Sequence, residues 1–128
     1  MEQFSLFVKM FVEKQHRERW LYLSEKNMDK FYRNIHKLEN YFDKRYCYID
    51  ETNDMQFISE LLDKYKLDEG FYISCNDYDI SRNIKRNEWN TILSVEYIII
   101  YPNDNFALYF HHDGRIWVCD RKNNPYTK

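Results

Sequence analysis

Glu96, Tyr109 and His111 come nearest to an assembled chemical group in this chain. A carboxylate beside an imidazole fixes the ring's orientation, and a nearby phenol supplies a further proton donor; general acid–base chemistry uses such parts. Whether they meet depends on a strand pairing argued below. The plainer alternative is a half-exposed ion pair that holds register between two strands. No nucleophile and no pair of oxyanion donors accompanies them. His111, His112 and Asp113 are three metal-ligating types in a row, but neighbours on a strand leave opposite faces, so the two imidazoles are not expected to share an ion. Cys75 and Arg82 are spaced too widely for a phosphate-binding thiolate loop, and the intervening Asp77 and Asp79 would repel phosphate and raise the thiol pKa. Cys75 is therefore expected as a small core residue. No motif calls for a metal or any other cofactor.

A second group is defined by charge. Residues 47–79 hold 9 acidic and 2 basic side chains, whereas residues 1–46 hold 7 acidic and 10 basic, so the middle of the chain is its acidic part. Asp50, Glu51, Asp54, Asp68, Glu69, Asp77 and Asp79 all fall in expected turns or at helix ends. Asp79, and Asp50 with it, are explicable as helix caps. The remainder leave surplus negative charge on loops beside Tyr48 and Tyr78, both expected to be exposed. Acidic loops with aromatic anchors suit a basic protein partner, because charge steers the encounter and aromatic side chains supply the contact energy. Asp50, Glu51, Asp54, Asp77, Tyr78 and Asp79 form the expected partner-binding set. The basic run Lys14–Arg19 is interleaved with Glu13 and Glu18 and reads as a solvated helix face, so nucleic acid is not the expected partner.

The elements that must position these residues follow from apolar periodicity. Thr91–Tyr101, Phe106–His112 and Arg115–Arg121 are expected as three consecutive strands. A four-residue turn at Pro102–Asn105 and a two-residue hairpin at Asp113-Gly114 join them. This pairing sets Tyr97 opposite Phe110 and Ile99 opposite Leu108, then Phe110 opposite Trp117 and Leu108 opposite Cys119. One face then carries Val95, Tyr97, Ile99, Leu108, Phe110, Trp117 and Cys119, and is the expected seat of the helices. The other carries Glu96, Ile98, Ile100, Ala107, Tyr109, His111, Ile116, Val118 and Asp120. It is too apolar for open solvent, so a helix, a second copy of the chain or a partner should cover it.

Upstream, helices are expected over Ser5–Ser24 and Met28–Phe42. In the second, Met28, Phe31, Tyr32, Ile35, Leu38 and Phe42 keep helical spacing and Asn27 can cap the first turn. Asn53 with Gln56 suggests a capping box for a third helix bearing Phe57, Ile58, Leu61, Leu62 and Tyr65. Phe71–Cys75 is a short strand, and Ile80–Arg86 a short helix capped by Asp79. Helices first and strands later define an α+β domain: N-terminal helices on one face of a mostly antiparallel sheet that ends in a three-strand meander.

At 128 residues the chain suits a single domain, 1–128, with a substantial core. With 12 Tyr, 9 Phe and only 2 Gly and 2 Pro, it is neither disordered nor collagen-like. No apolar run reaches the roughly 18 residues that span a bilayer. Phe4–Val12 is broken by Lys9 and lacks a basic leader and a small-residue cleavage site, so a cytoplasmic protein is expected. Cys47, Cys75 and Cys119 are odd in number and far apart, and are expected as buried free thiols.

Arg19-Trp20, Ile35-His36-Lys37-Leu38-Glu39, Asp43-Lys44-Arg45-Tyr46 and Tyr72-Ile73-Ser74 with Asp77-Tyr78-Asp79 resemble, over about half the chain, a group of small uncharacterised bacterial proteins with a helical first half and a β-rich end. The aromatic-rich α+β style with an acidic surface also resembles the immunity proteins of contact-dependent and polymorphic toxin systems. The resemblance implies a small bacterial protein that binds another protein, and it brings no catalytic residues. The expected function is thus a non-enzymatic, immunity-type binding domain that neutralises a basic toxin domain through acidic loops. The alternatives are a small enzyme or ligand-binding domain using Glu96, Tyr109 and His111, a homodimer formed through the sheet face, or a structural protein.

Overall fold

Phe4, Phe7, Val8 and Phe11 recur at helical spacing and are fully buried along one side of α1 (Glu2–Phe11). In the computed structural model, which describes residues 2–50, 55–76 and 79–122, this helix stops well short of Ser24. Val12 bridges Phe42, the Glu13 amide donates to the Tyr41 carbonyl at 2.8 Å and the Asp43 amide donates to that of Phe11 at 2.7 Å. The polar stretch after Glu13 has no apolar stripe with which to continue on the core, so the chain turns there. It resumes as α2 (Arg17–Lys26), which buries Trp20 and Leu23.

The next helix begins where expected, with Asn27 Oδ1 accepting the Lys30 amide at 3.2 Å. It tightens after α3 (Met28–Asn34) into a 3₁₀ segment, Ile35–Tyr41, at the point where the Asn34 side chain donates to the Lys30 carbonyl at 2.8 Å. Strand β1 (Cys47–Ile49), helix α4 (Met55–Lys64) and strands β2 (Gly70–Ser74), β3 (Arg82–Ile84), β4 (Tyr97–Tyr101), β5 (Phe106–Phe110) and β6 (Ile116–Asp120) follow, and further 3₁₀ segments span Lys14–His16, Arg86–Thr91 and Pro102–Asp104. The expected α+β class holds. The sheet runs β1-β6-β5-β4-β2-β3 with every neighbouring pair antiparallel, and β4, β5 and β6 form the meander.

The register between β4 and β5 is the expected one, Tyr97 opposite Phe110 and Ile99 opposite Leu108, with Asn105 taking the left-handed conformation that closes the turn. The register between β5 and β6 is not. Phe110 faces Ile116 and Tyr109 faces Trp117, one residue away from the expectation. The hairpin is a three-residue loop, His112–Gly114: the His111 amide donates to the Arg115 carbonyl at 2.9 Å and Gly114 has a φ of 97°. Asp113 favours this longer loop, since its carboxylate accepts both the Arg115 amide at 3.0 Å and the Arg115 Nε at 2.7 Å. A one-residue slip moves every side chain of β6 to the opposite face. Trp117 and Cys119 therefore join Ile98, Ile100, Ala107 and Tyr109, while Ile116 and Val118 join Ile99, Leu108 and Phe110.

This exchange reassigns the faces. The N-terminal helices sit on the Tyr109 face, where Phe42 meets Phe7, Tyr109 and Trp117 edge-on at 5.6, 5.4 and 5.1 Å between ring centroids. The Tyr97–Phe110 face is covered instead by α4, through Ile58 and Leu62, and by Trp89 and Ile92. With helices on both sides, the described residues leave no bare sheet face.

Two further expectations change. Residues 82–84 form edge strand β3 rather than a helix, with Arg82 opposite Tyr72 and its guanidinium 5.0 Å from that ring. Residues 92–96 precede the strand rather than belonging to it, and Leu93 and Val95 stay exposed. Asn53, half of the expected capping box, lies outside the described residues. No helix among the described residues is long and apolar enough to cross a membrane.

All three cysteines are free and buried, as expected. Burial, reinforced by the Glu96 charge, pushes the Cys75 thiol well up, and burial with the contact from Cys47 does the same to Cys119. Thiolate is the reactive form. The native protein is expected to resist Ellman's reagent at about pH 8 and to react through all its thiols only after denaturation. Rapid reaction of a thiol in the native state would contradict this burial.

Candidate functional site

Strand β5 ends at Phe110, so His111 and His112 belong to the hairpin and not to the sheet. The alternation that would have separated them does not apply, and their ring centroids lie 4.2 Å apart. Glu96, just before β4, reaches the same place. His112 Nδ1 is 2.6 Å from Glu96 Oε1 and His111 Nε2 is 4.0 Å from it, while the Tyr109 hydroxyl bonds the other oxygen, Oε2. The expected trio of Glu96, Tyr109 and His111 is therefore assembled, at the rim of the face covered by the N-terminal helices.

Reading the sequence for chemistry missed Glu39. On the stripe of Ile35, Leu38 and Phe42 it occupies the fourth core-facing position, and a carboxylate at such a position was the available signal. Glu39 Oε2 lies 2.7 Å from His111 Nε2, Glu39 Oε1 lies 2.8 Å from the Arg115 guanidinium, and the Trp117 indole NH donates to Oε1 at 3.4 Å. Arg115 also grips Asp113, whose Oδ1 is 2.9 Å from His111 Nδ1. Hydrogen bonds from the Arg115 amide, against a smaller cost of burial, and then His111 hold the Asp113 carboxyl at a pKa of about 2. Glu39, Glu96 and His111 are buried, whereas the His112 side chain is 51% exposed and forms the open side of the cluster.

Tyr109 is not placed to exchange a proton with a substrate. Tyr109 is fully buried, its hydroxyl engaged by Glu96 and the Ile35 carbonyl, and burial pushes its pKa well above the ordinary value. Two cavities lie elsewhere and share no residue with the cluster. One of about 240 Å³ is bounded by Gln3, Phe4, Phe71 and Ile73, and one of about 140 Å³ by Arg19, Trp20, Lys37 and Tyr41.

The acidic set divides. Glu51, Asp54, Asp77 and Tyr78 lie outside the described residues. Asp50 is buried, its amide donating to the Ile116 carbonyl at 2.9 Å, and Tyr48 is buried too, so neither presents itself to a partner. Asp79 is a scaffold rather than a contact, with only 7% of its side chain exposed. It accepts the Tyr72 hydroxyl at 2.5 Å, the Leu93 amide at 2.9 Å and the Ile80 amide at 2.8 Å, and pairs with Arg82 at 3.3 Å. Arg82 continues to the Ile80 carbonyl at 2.9 Å and the Thr91 hydroxyl at 2.9 Å. One carboxylate thus draws together the backbones of Ile80 and Leu93. Both side chains point to solvent, 76% and 68% exposed, and Val95 beyond them is 64% exposed.

A scan against protein-family models finds no matching family, and comparisons with curated proteins and with solved structures return no match.

Proposed function

We propose that this chain is a non-enzymatic protein-binding domain of the immunity type, whose docking surface centres on Ile80, Leu93 and Val95. The observation that carries the reading is this exposed aliphatic trio on backbone anchored by a buried carboxylate. The Ile80 and Leu93 amides share one carboxylate, so these two exposed side chains leave the surface in one region, and exposed aliphatic groups that lie together mark association sites. Here the backbones of Ile80 and Leu93 are pre-ordered, which lowers the entropic cost of binding. Residues 47–79, just before it in the chain, hold 9 acidic and 2 basic side chains, among which Glu60, Asp68 and Glu69 are exposed, so the partner that fits is a basic protein, such as a toxin domain with a positive active site. Acidic charge accelerates the encounter, and the aliphatic trio supplies the desolvated contact.

The test is calorimetric titration of the chain with the basic protein encoded beside its gene. Leu93→Asp places a charge at the centre of the surface without touching the core. It is expected to weaken binding by at least about 2 kcal/mol, the size of a hot-spot loss, with the thermal midpoint unchanged. A complex indifferent to Leu93→Asp and Val95→Asp would refute this surface. The absence of any complex with such a protein would refute the immunity reading.

A further inference from the structure

We infer that Glu96, His111 and His112 form a binding site for a divalent transition-metal ion of the zinc class. Each residue offers one ligand atom, and the three atoms lie within 4.8 Å of one another. Two imidazole nitrogens and a carboxylate oxygen are a borderline donor set that favours Zn²⁺, Co²⁺, Ni²⁺ or Cu²⁺ over Ca²⁺ and Mg²⁺. Around an ion at the usual distance of about 2.1 Å, tetrahedral donors stand about 3.4 Å apart. The separation of 2.6 Å between His112 and Glu96 must open and that of 4.0 Å between His111 and Glu96 must close, each by less than about 1 Å. The half-exposed His112 ring is free to open the first of these gaps, while the second closes by movement of the buried His111 and Glu96 side chains.

The surroundings are those a metal ligand needs. A ligating histidine characteristically donates its second ring NH to a carboxylate, which fixes the tautomer. His111 Nδ1 faces Asp113 Oδ1 at 2.9 Å; Nε2 lies 2.7 Å from Glu39 Oε2 and 4.0 Å from Glu96 Oε1, so an ion on Nε2 takes the place of the direct Nε2–Glu39 contact. The Asp113 amide also lies 3.3 Å from Nδ1; with a metal on Nε2 the ring is neutral and its single proton sits on Nδ1, donated to the Asp113 carboxylate. The far oxygen of Glu96 is held by Tyr109, and Arg115 holds Asp113 in turn. Charge points the same way. Glu39 and Glu96 are both buried and converge on His111 Nε2, while Arg115 is the one guanidinium paired with Glu39 among the described residues. A buried carboxylate needs a compensating positive charge, and a divalent cation between Glu96 and the imidazoles supplies it. Glu39 is placed to keep its hold on Arg115 or to join as a fourth ligand.

This inference is independent of the docking surface. Its test uses the full chain without an affinity tag, stripped with EDTA and titrated with Co²⁺. The expected result is one equivalent bound, with visible d–d absorption that Zn²⁺ displaces, and a thermal midpoint that rises with Zn²⁺. His112→Ala removes a half-exposed ring, so the variant should fold with an unchanged circular dichroism spectrum and lose the absorption. Asp113→Asn keeps all three ligands and should weaken binding about 10- to 100-fold. His36→Ala is the control, because His36 sits 6.3 Å from the His112 ring and should leave binding intact. No absorption and no midpoint shift at stoichiometric metal would overturn the site. So would binding that survives His112→Ala, or binding lost in His36→Ala, which would point to a surface histidine pair instead.

Discussion

Asp79→Ala is expected to lower the unfolding free energy by about 1 to 3 kcal/mol in urea denaturation, the usual cost of leaving buried hydrogen-bonding groups without their partner. The carboxylate accepts from a fully buried tyrosine, two backbone amides and Arg82, so its removal strands several donors at once. Burial pushes the Asp79 carboxyl up, but the Tyr72 hydroxyl, the Leu93 and Ile80 amides and Arg82 outweigh it and hold the pKa at about 2. Tyr72 responds reciprocally: burial and the Asp79 contact push it up to about 12. Because the folded pKa of Asp79 lies below the unfolded value of about 3.9, its contribution is complete above roughly pH 4 and is lost as pH falls through about 2. The wild type should lose stability across that window, and the alanine variant should have a flatter profile there. Equal slopes would show that Asp79 is not the group responsible. On the docking surface proposed above, the folded variant should also bind a basic protein more weakly, because the Asp79 carboxylate no longer fixes the backbones of Ile80 and Leu93.

Glu39→Ala is expected to cost about 3 kcal/mol. Glu39 ties the 3₁₀ segment Ile35–Tyr41 to the β5–β6 hairpin through His111, Arg115 and Trp117. Arg115 can return to water, since its side chain is 45% exposed, but His111 cannot, at 6%. Most of the loss should therefore trace to the buried imidazole. In a double-mutant cycle, the cost of Glu39→Ala should shrink strongly in the background of His111→Leu and little in that of Arg115→Ala. A cost unaffected by His111→Leu would mean that Glu39 acts through packing alone.

Much of the fold is legible in local pattern. The stripe from Met28 to Phe42, the Asn27 cap and the β4–β5 register all follow from side-chain periodicity and turn chemistry that neighbours in sequence supply themselves. The β5–β6 register does not. Asp113-Gly114 fits a two-residue hairpin as well as a three-residue one, and the choice rests on Asp113 meeting Arg115 and on Glu39, far away in sequence, holding that arginine and His111. The site inherits this division.

By itself the sequence determined that helices would precede an antiparallel meander and that the cysteines would be buried, and it raised Glu96, Tyr109 and His111 as a group that could meet. Only the tertiary structure decided which face the N-terminal helices cover, that His112 and Glu39 complete the cluster, and that Asp79 organises a surface rather than forming it. The physical reason is the same in each case. Periodicity records that a residue is turned inward, but it does not record what waits there, and a buried carboxylate takes its role from partners brought to it by a one-residue choice in a distant turn.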